Sequence, residues 1–80
     1  MIAPALRPGE LALLLYLYTY TQRNGYAPTT IEMRAALSLH PRTLYRRLRV
    51  LEAWGYVARA PRRERGVRVL RLPPVDAAAA

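Results

Sequence analysis

Apolar and polar positions follow two different periods along the chain, and the change of period divides it into a helical part and a strand-like part. Residues 11–20, LALLLYLYTY, hold no charged side chain. This run is too short to span a bilayer, which takes about 20 apolar residues. It is also too apolar to be the single buried face of an ordinary surface helix. A helix is expected from Pro8 or Gly9, where proline suits the first helical position and Glu10 complements the dipole, to about Arg23, with Asn24-Gly25 as its stop. Thr29-Thr30-Ile31-Glu32 has the spacing of a capping box and predicts a short second helix over Thr30–Leu37, with Met33, Ala36 and Leu37 turned inward. After a tight turn at Ser38-Leu39-His40, Pro41 opens a third helix. Leu44, Leu48 and Leu51 recur there at i, i+4 and i+7 and mark a buried stripe. Gly55 ends that helix, with Trp54 expected to pack at its base.

Beyond Gly55 the pattern becomes short and rich in β-branched and aromatic residues. Residues 56–60 and 67–72 read as strands, and the polar turn 61–66, PRRERG, would close them into a hairpin. Pro73-Pro74 ends the domain, which therefore covers residues 1–74, and residues 75–80 form a tail. Helix, short helix, turn, helix and hairpin is the order of a winged helix-turn-helix, a mainly α fold with three helices and a two-stranded wing.

Charge adds a partner class. The chain of 80 residues carries a formal net charge of +8, and all 13 of its basic side chains are arginine. Residues 1–40 set Arg7, Arg23 and Arg34 against Glu10 and Glu32, whereas residues 41–80 hold ten arginines against Glu52, Glu64 and Asp76. An excess of this kind points to a polyanion, with nucleic acid ahead of a membrane surface. The chain has no cysteine, which excludes disulfides and thiolate metal sites and fits a reducing, cytoplasmic setting. No secretory leader is visible at the start. The five acidic residues are dispersed, without paired carboxylates, a nucleophile–base spacing or a glycine-rich phosphate loop, so an enzyme is not expected. His40, the one histidine, has no second ligand near it in sequence, and neither a metal, a cofactor nor a small-molecule ligand is expected. Glu32 is most simply the capping-box acid.

The third helix, residues 41–54, is the candidate recognition helix. With Leu44 at the centre of the buried face, helical geometry puts Arg42, Tyr45, Arg46, Arg49 and Ala53 on the opposite side and Thr43 and Arg47 on the flanks. Arginine can bond guanine O6 and N7 with both arms, and threonine and tyrosine can bond phosphates. In the wing, residues 61–66, Arg62, Arg63 and Arg65 stand at the tip, with Arg68 just beyond, where phosphates or the minor groove would be met. Glu64 is expected to pair with a neighbouring arginine, and Gly66 to supply the backbone freedom to begin the returning strand.

Gly25-Tyr26-Ala27-Pro28-Thr29, Glu32, Ala36-Leu37-Ser38-Leu39, Pro41-Arg42-Thr43-Leu44, Leu48-Arg49-Val50-Leu51-Glu52 and the hairpin return Arg65-Gly66-Val67-Arg68 together resemble the DNA-binding domain of LexA-type repressors, over about residues 6–70. The resemblance implies a bacterial or phage regulator that binds operator DNA, usually as a dimer on a two-fold site. It also implies that Arg42, Thr43, Tyr45 and Arg46 fall on the recognition helix. The sequence departs from the family in three ways. The turn at Leu39-His40-Pro41 is one residue shorter, the recognition face is richer in arginine, and no self-cleaving protease domain is expected after Ala80, so dimerisation is expected to come from another source. In the family, positions matching Leu13, Leu14, Tyr16, Leu17, Tyr20 and Thr21 pack inward, while those matching Leu11, Leu15, Tyr18 and Gln22 are usually polar. Here Leu11, Leu15 and Tyr18 form a second apolar stripe, expected to be a homodimer interface unless Met1, Ile2 and the tail cover it.

The function expected is therefore sequence-specific binding of double-stranded DNA by a nucleoid-associated transcriptional regulator, acting as a repressor. The alternatives are a winged-helix module that binds an acidic protein of the transcription or replication machinery, and a non-specific architectural binder. Double-stranded RNA is a weaker option, because its deep, narrow major groove resists an inserted helix.

Overall fold

Proline at the first helical position and glycine after the last frame the first helix, α1 (Pro8–Asn24), in the computed structural model of the protein, which describes residues 6–73. Met1, Ile2, Pro74 and the 75–80 tail lie outside the described residues. Glu10 Oε1 accepts a hydrogen bond from the Arg7 backbone N–H at 3.0 Å. At the other end Gly25, with φ 77°, donates its N–H to the Thr21 carbonyl at 2.8 Å. Helix α2 (Thr30–Leu37) begins with the reciprocal pair that its sequence spacing predicts. The Glu32 N–H donates to Thr29 Oγ1 at 3.1 Å, and the Thr29 N–H donates to Glu32 Oε1 at 2.8 Å.

Ser38, Leu39 and His40 join α2 to α3 (Pro41–Ala53), a length within the usual three to four residues of a helix-turn-helix. Ser38 takes the left-handed conformation at φ 54°, and the Leu39 N–H reaches back to the Arg34 carbonyl at 3.0 Å. His40 caps α3, its Nδ1 accepting from the Arg42 N–H at 3.2 Å. Histidine is not a favoured residue at this position, so its sequence gave no hint of the role.

The core lies where the three helices meet. Leu13, Leu14 and Leu17 of α1, Met33 of α2 and Leu44, Leu48 and Leu51 of α3 are buried together, and Tyr56, Val57 and Val67 close them at the hairpin end. The i, i+4, i+7 stripe of α3 is thus the inner face that its spacing predicts. In α1 the three leucines are fully buried while Tyr16, Tyr20 and Thr21 are half-buried around them.

The wing is an antiparallel pair, β1 (Val57–Arg59) and β2 (Val67–Val69), with Val57 opposite Val69 and Arg59 opposite Val67. Both strands are shorter than the sequence suggests. Gly55, at φ 78°, turns the chain sharply after α3, so Tyr56 sits in the corner. Its carbonyl there accepts from the Leu70 N–H at 2.8 Å and from the Arg71 N–H at 3.4 Å, so one corner carbonyl takes both groups and the ladder stops. Two inner positions also differ. Ala36 is exposed, because Met33 and Leu37, four residues apart, already fill the inner stripe of so short a helix. Trp54 is 42% exposed rather than packed at the base of α3. Its carbonyl, not its ring, is engaged, accepting from Arg71 Nη2 at 2.7 Å.

Because Leu48 is wholly buried at the centre of the leucine stripe, Leu48→Ala should lower the unfolding free energy by about 2–5 kcal/mol. Ile31 is 73% exposed on α2, and Ile31→Ala should change it by less than about 0.5 kcal/mol. Urea titration followed by circular dichroism checks both.

Candidate nucleic-acid interface

The burial of one leucine stripe decides which side of α3 faces out. Arg42, Tyr45, Arg46, Arg49 and Ala53 are all exposed, and Thr43 and Arg47 are half-buried at the edges, as helical geometry predicts. Arg47 folds back against the first turn of α1 so closely that a Cβ added at Gly9 would lie 2.5 Å from its guanidinium carbon. It therefore packs two helices together instead of joining the outer face. The remaining three arginines and the tyrosine form one continuous basic surface.

The wing stands beside that surface. An open cleft of about 560 Å³ separates them, lined by Thr30, Tyr45, Arg59, Arg62 and Glu64 among others. Across it the Arg59 guanidinium lies 5.7 Å from the centre of the Tyr45 ring, a cation–π contact between β1 and α3. Arg62 and Arg63 are exposed at the tip, and Arg68 is exposed on β2 opposite Ala58. Arg62 adopts φ 65°, a region that favours glycine. The tip thus keeps a charge where the backbone would accept glycine more easily. Gly66 is needed for a different reason from the one its place in the sequence suggests. The Ala60 N–H donates to its carbonyl at 2.9 Å, and a Cβ at Gly66 would come within 2.6 Å of the Ala60 oxygen.

Arg65 departs from its neighbours. Instead of standing out with Arg62 and Arg63, it turns onto the helices. Its Nη1 donates to Glu32 Oε1 at 2.9 Å, to the Ala27 carbonyl at 2.9 Å and to the Tyr20 hydroxyl at 3.3 Å. The guanidinium also sits 4.6 Å from the centre of the Tyr26 ring. Tyr20 in turn donates its hydroxyl proton to Glu32 Oε2 at 3.0 Å. Among the described residues Arg65–Glu32 is the one ion pair, so Glu64 does not pair with an adjacent arginine. Glu32, expected only as a capping-box acid, does both jobs. Sequence spacing could not show this, because its partners lie 12 and 33 residues away.

These contacts set the local ionisation. The Thr29 backbone N–H, with help from the Tyr20 hydroxyl and the Arg65 guanidinium, lowers the Glu32 carboxyl from 4.5 to about 2. The Tyr20 hydroxyl and the Glu32 carboxylate raise Arg65 further above its ordinary value. Burial, with the Glu32 charge nearby, raises the Tyr16 phenol. Among the described residues no helix is long and apolar enough to cross a membrane.

The LexA DNA binding domain family matches residues 5–66 of the chain. The LexA repressor of Gluconobacter oxydans (strain 621H) is 40% identical over 62 residues, which cover 76% of this chain and 26% of that protein. The LexA repressor of Bartonella quintana (strain Toulouse) is 37% identical over 65 residues, covering 80% of this chain and 27% of the relative. The LexA repressor of Zymomonas mobilis is 36% identical over 62 residues, covering 76% of this chain and 29% of the relative. The matched region therefore spans between a quarter and a third of each relative's length.

The depressed Glu32 value makes stability depend on pH in one direction. A carboxyl whose folded value lies below its unfolded one contributes fully above the unfolded value and loses that contribution as pH falls through the folded one. The wild type should melt above Glu32→Gln at neutral pH, and the gap should close between pH 4.5 and about 2. Glutamine keeps an oxygen for the Thr29 N–H, so the difference reports the charge. Paired thermal melts across that range measure it, and comparing the two proteins cancels the other carboxyls.

Proposed function

The chain belongs to the LexA DNA-binding-domain family, and we propose that it binds double-stranded DNA in a sequence-specific manner as a transcriptional repressor of the bacterial or phage cytoplasm. In this proposal α3 enters the major groove, with Arg42, Thr43, Tyr45, Arg46 and Arg49 toward bases and flanking phosphates. Arg62, Arg63 and Arg68 of the wing meet the backbone or the minor groove. The observation that carries it is the outer face of α3. Its arginines are exposed, and the basic wing stands across an open cleft from them.

The same proposal includes a homodimer through α1. Leu15 is 46% and Tyr18 39% exposed on the face away from the core, and Leu11, one turn earlier, is half-buried. Exposed leucine and tyrosine in one stripe suit a self-complementary two-fold contact. The other occupants considered for that stripe, Met1, Ile2 and the tail, lie outside the described residues.

Selection from a random duplex pool should return a two-fold motif with half-sites spaced by about 10 base pairs or a multiple. Equal affinity for every sequence at fixed salt would leave an architectural binder instead. Arg46→Ala and Arg49→Ala should each weaken binding to the selected site by about 1–3 kcal/mol if the side chain meets a base, and log affinity should fall with log salt at a slope of about −5 for six phosphates. For the dimer, sedimentation of the wild type at micromolar concentration should give a dimer and Leu15→Glu a monomer. A monomeric wild type removes the α1 interface.

A further inference from the structure

Outside the recognition face, the densest set of polar contacts in the described residues surrounds Arg65. It joins three separate parts of the chain. Arg65 belongs to the wing, Glu32 to the first turn of α2, Tyr20 to α1, and Ala27 and Tyr26 to the connector between them. The wing has little else to fix its direction. Its strands are three residues each, and an isolated two-stranded hairpin is at best marginally stable. Val57 and Val67 hold its base on the core, and Arg59 leans on Tyr45, but beyond those strands the loop projects over exposed residues.

We propose that Arg65 is a positioning residue of the wing, which Glu32 and Tyr20 lock at a set angle to α3 so that Arg62 and Arg63 meet the same duplex as the recognition helix. The proposal rests on the DNA-binding function above, and deepens it. Arg65 stays partly exposed, but its charge is engaged by the protein's own groups. One nitrogen, Nη1, serves the carboxylate, the carbonyl and the hydroxyl while the planar guanidinium covers the Tyr26 ring, a stacked contact that a lysine ammonium could not serve equally. The Ala27 carbonyl explains part of the need. Ala27 and Pro28 are buried in the connector, and a buried carbonyl without a partner is costly. One side chain therefore closes the connector and aims the wing.

The sign of a single substitution separates positioning from plain electrostatics. Glu32→Gln removes a negative charge from a DNA-binding protein, and if charge alone mattered it would tighten binding and leave the wing in place. Positioning predicts the opposite: affinity for a selected duplex should fall about tenfold. The salt slope should shrink from about −5 toward about −3 as the two tip arginines disengage. Tyr20→Phe changes no charge at neutral pH and should shift both readouts the same way by a smaller factor. In an Arg62→Ala, Arg63→Ala background, Arg65→Met should add little further loss, because it acts through those two residues. Arg65→Lys should recover only part of the affinity.

Circular dichroism and thermal melting of each variant identify any that do not fold, and Tyr20→Phe, the mildest change, carries the test should Glu32→Gln fail. If the wild type binds no duplex, the DNA-binding function itself falls. If the wild type binds, and folded Glu32→Gln and Tyr20→Phe bind equally or more tightly with an unchanged slope, the positioning role is overturned. A loss of about one unit of slope from Arg65→Met in both backgrounds would also overturn it, by making Arg65 a direct phosphate contact.

Discussion

The packing of the α3 leucines against those of α1 is the constraint from which the rest of the structure follows. Leu44, Leu48 and Leu51 meet Leu13, Leu14 and Leu17 with no solvent exposure on the α3 side, and Met33 closes the contact from α2. A helix that commits one stripe to the interior has no freedom in what it shows outside. The outward arginines Arg42, Arg46 and Arg49 are therefore presented together on a rigid element. Burial supplies the free energy, and the basic face is its geometric consequence. A chain of this size has little core to spare, so the same few leucines serve both folding and presentation.

Electrostatics then divides the arginines by role. On α3 and at the wing tip they remain exposed and without carboxylate partners among the described residues, which keeps their charge available to a polyanion. Arg47, Arg65 and Arg71 are instead used internally, against Gly9, Glu32 and the Trp54 carbonyl. Arg71 also stacks 4.1 Å from the Tyr56 ring centre, at the point where the chain turns out of α3. An arginine-rich composition is thus not uniformly a binding surface. Part of it replaces the apolar contacts that a small domain lacks, through forks that reach carbonyls and ring faces.

The elements that could be read from the sequence were those fixed by local rules. Pro8, Gly25, the Thr29–Glu32 box, Pro41 and Gly55 mark their helix ends through contacts within a few residues, and the observed bounds follow them. The outward residues of α3 were legible for the same reason, since a 3.6-residue period fixes direction once one buried leucine is known. What escaped was non-local. Nothing near Arg65 in sequence distinguishes it from Arg62 or Arg63, yet its partners lie 33 to 45 residues away. Apolarity alone ranks Trp54 and Ala36 for burial, whereas the room left by Met33, Leu37 and the turn at Gly55 leaves both exposed. The cap at His40 carries no sequence signal, because its ring nitrogen serves where a shorter oxygen side chain is usual.

Charge asymmetry bears on how two such chains could share one duplex. Each copy carries +8, so surfaces drawn at random from two copies would repel. The outer stripe of α1 is different: Leu11, Leu15 and Tyr18 lie in the half of the sequence whose few charges nearly cancel, while ten of the arginines lie in the other half. In space, however, Tyr18 lines one groove with Arg68 and Arg71, so contact through that stripe would also have to accommodate those two charges. In the proposed dimer the apolar stripe of α1 would supply the contact between copies, and the outer face of α3 the contact with DNA.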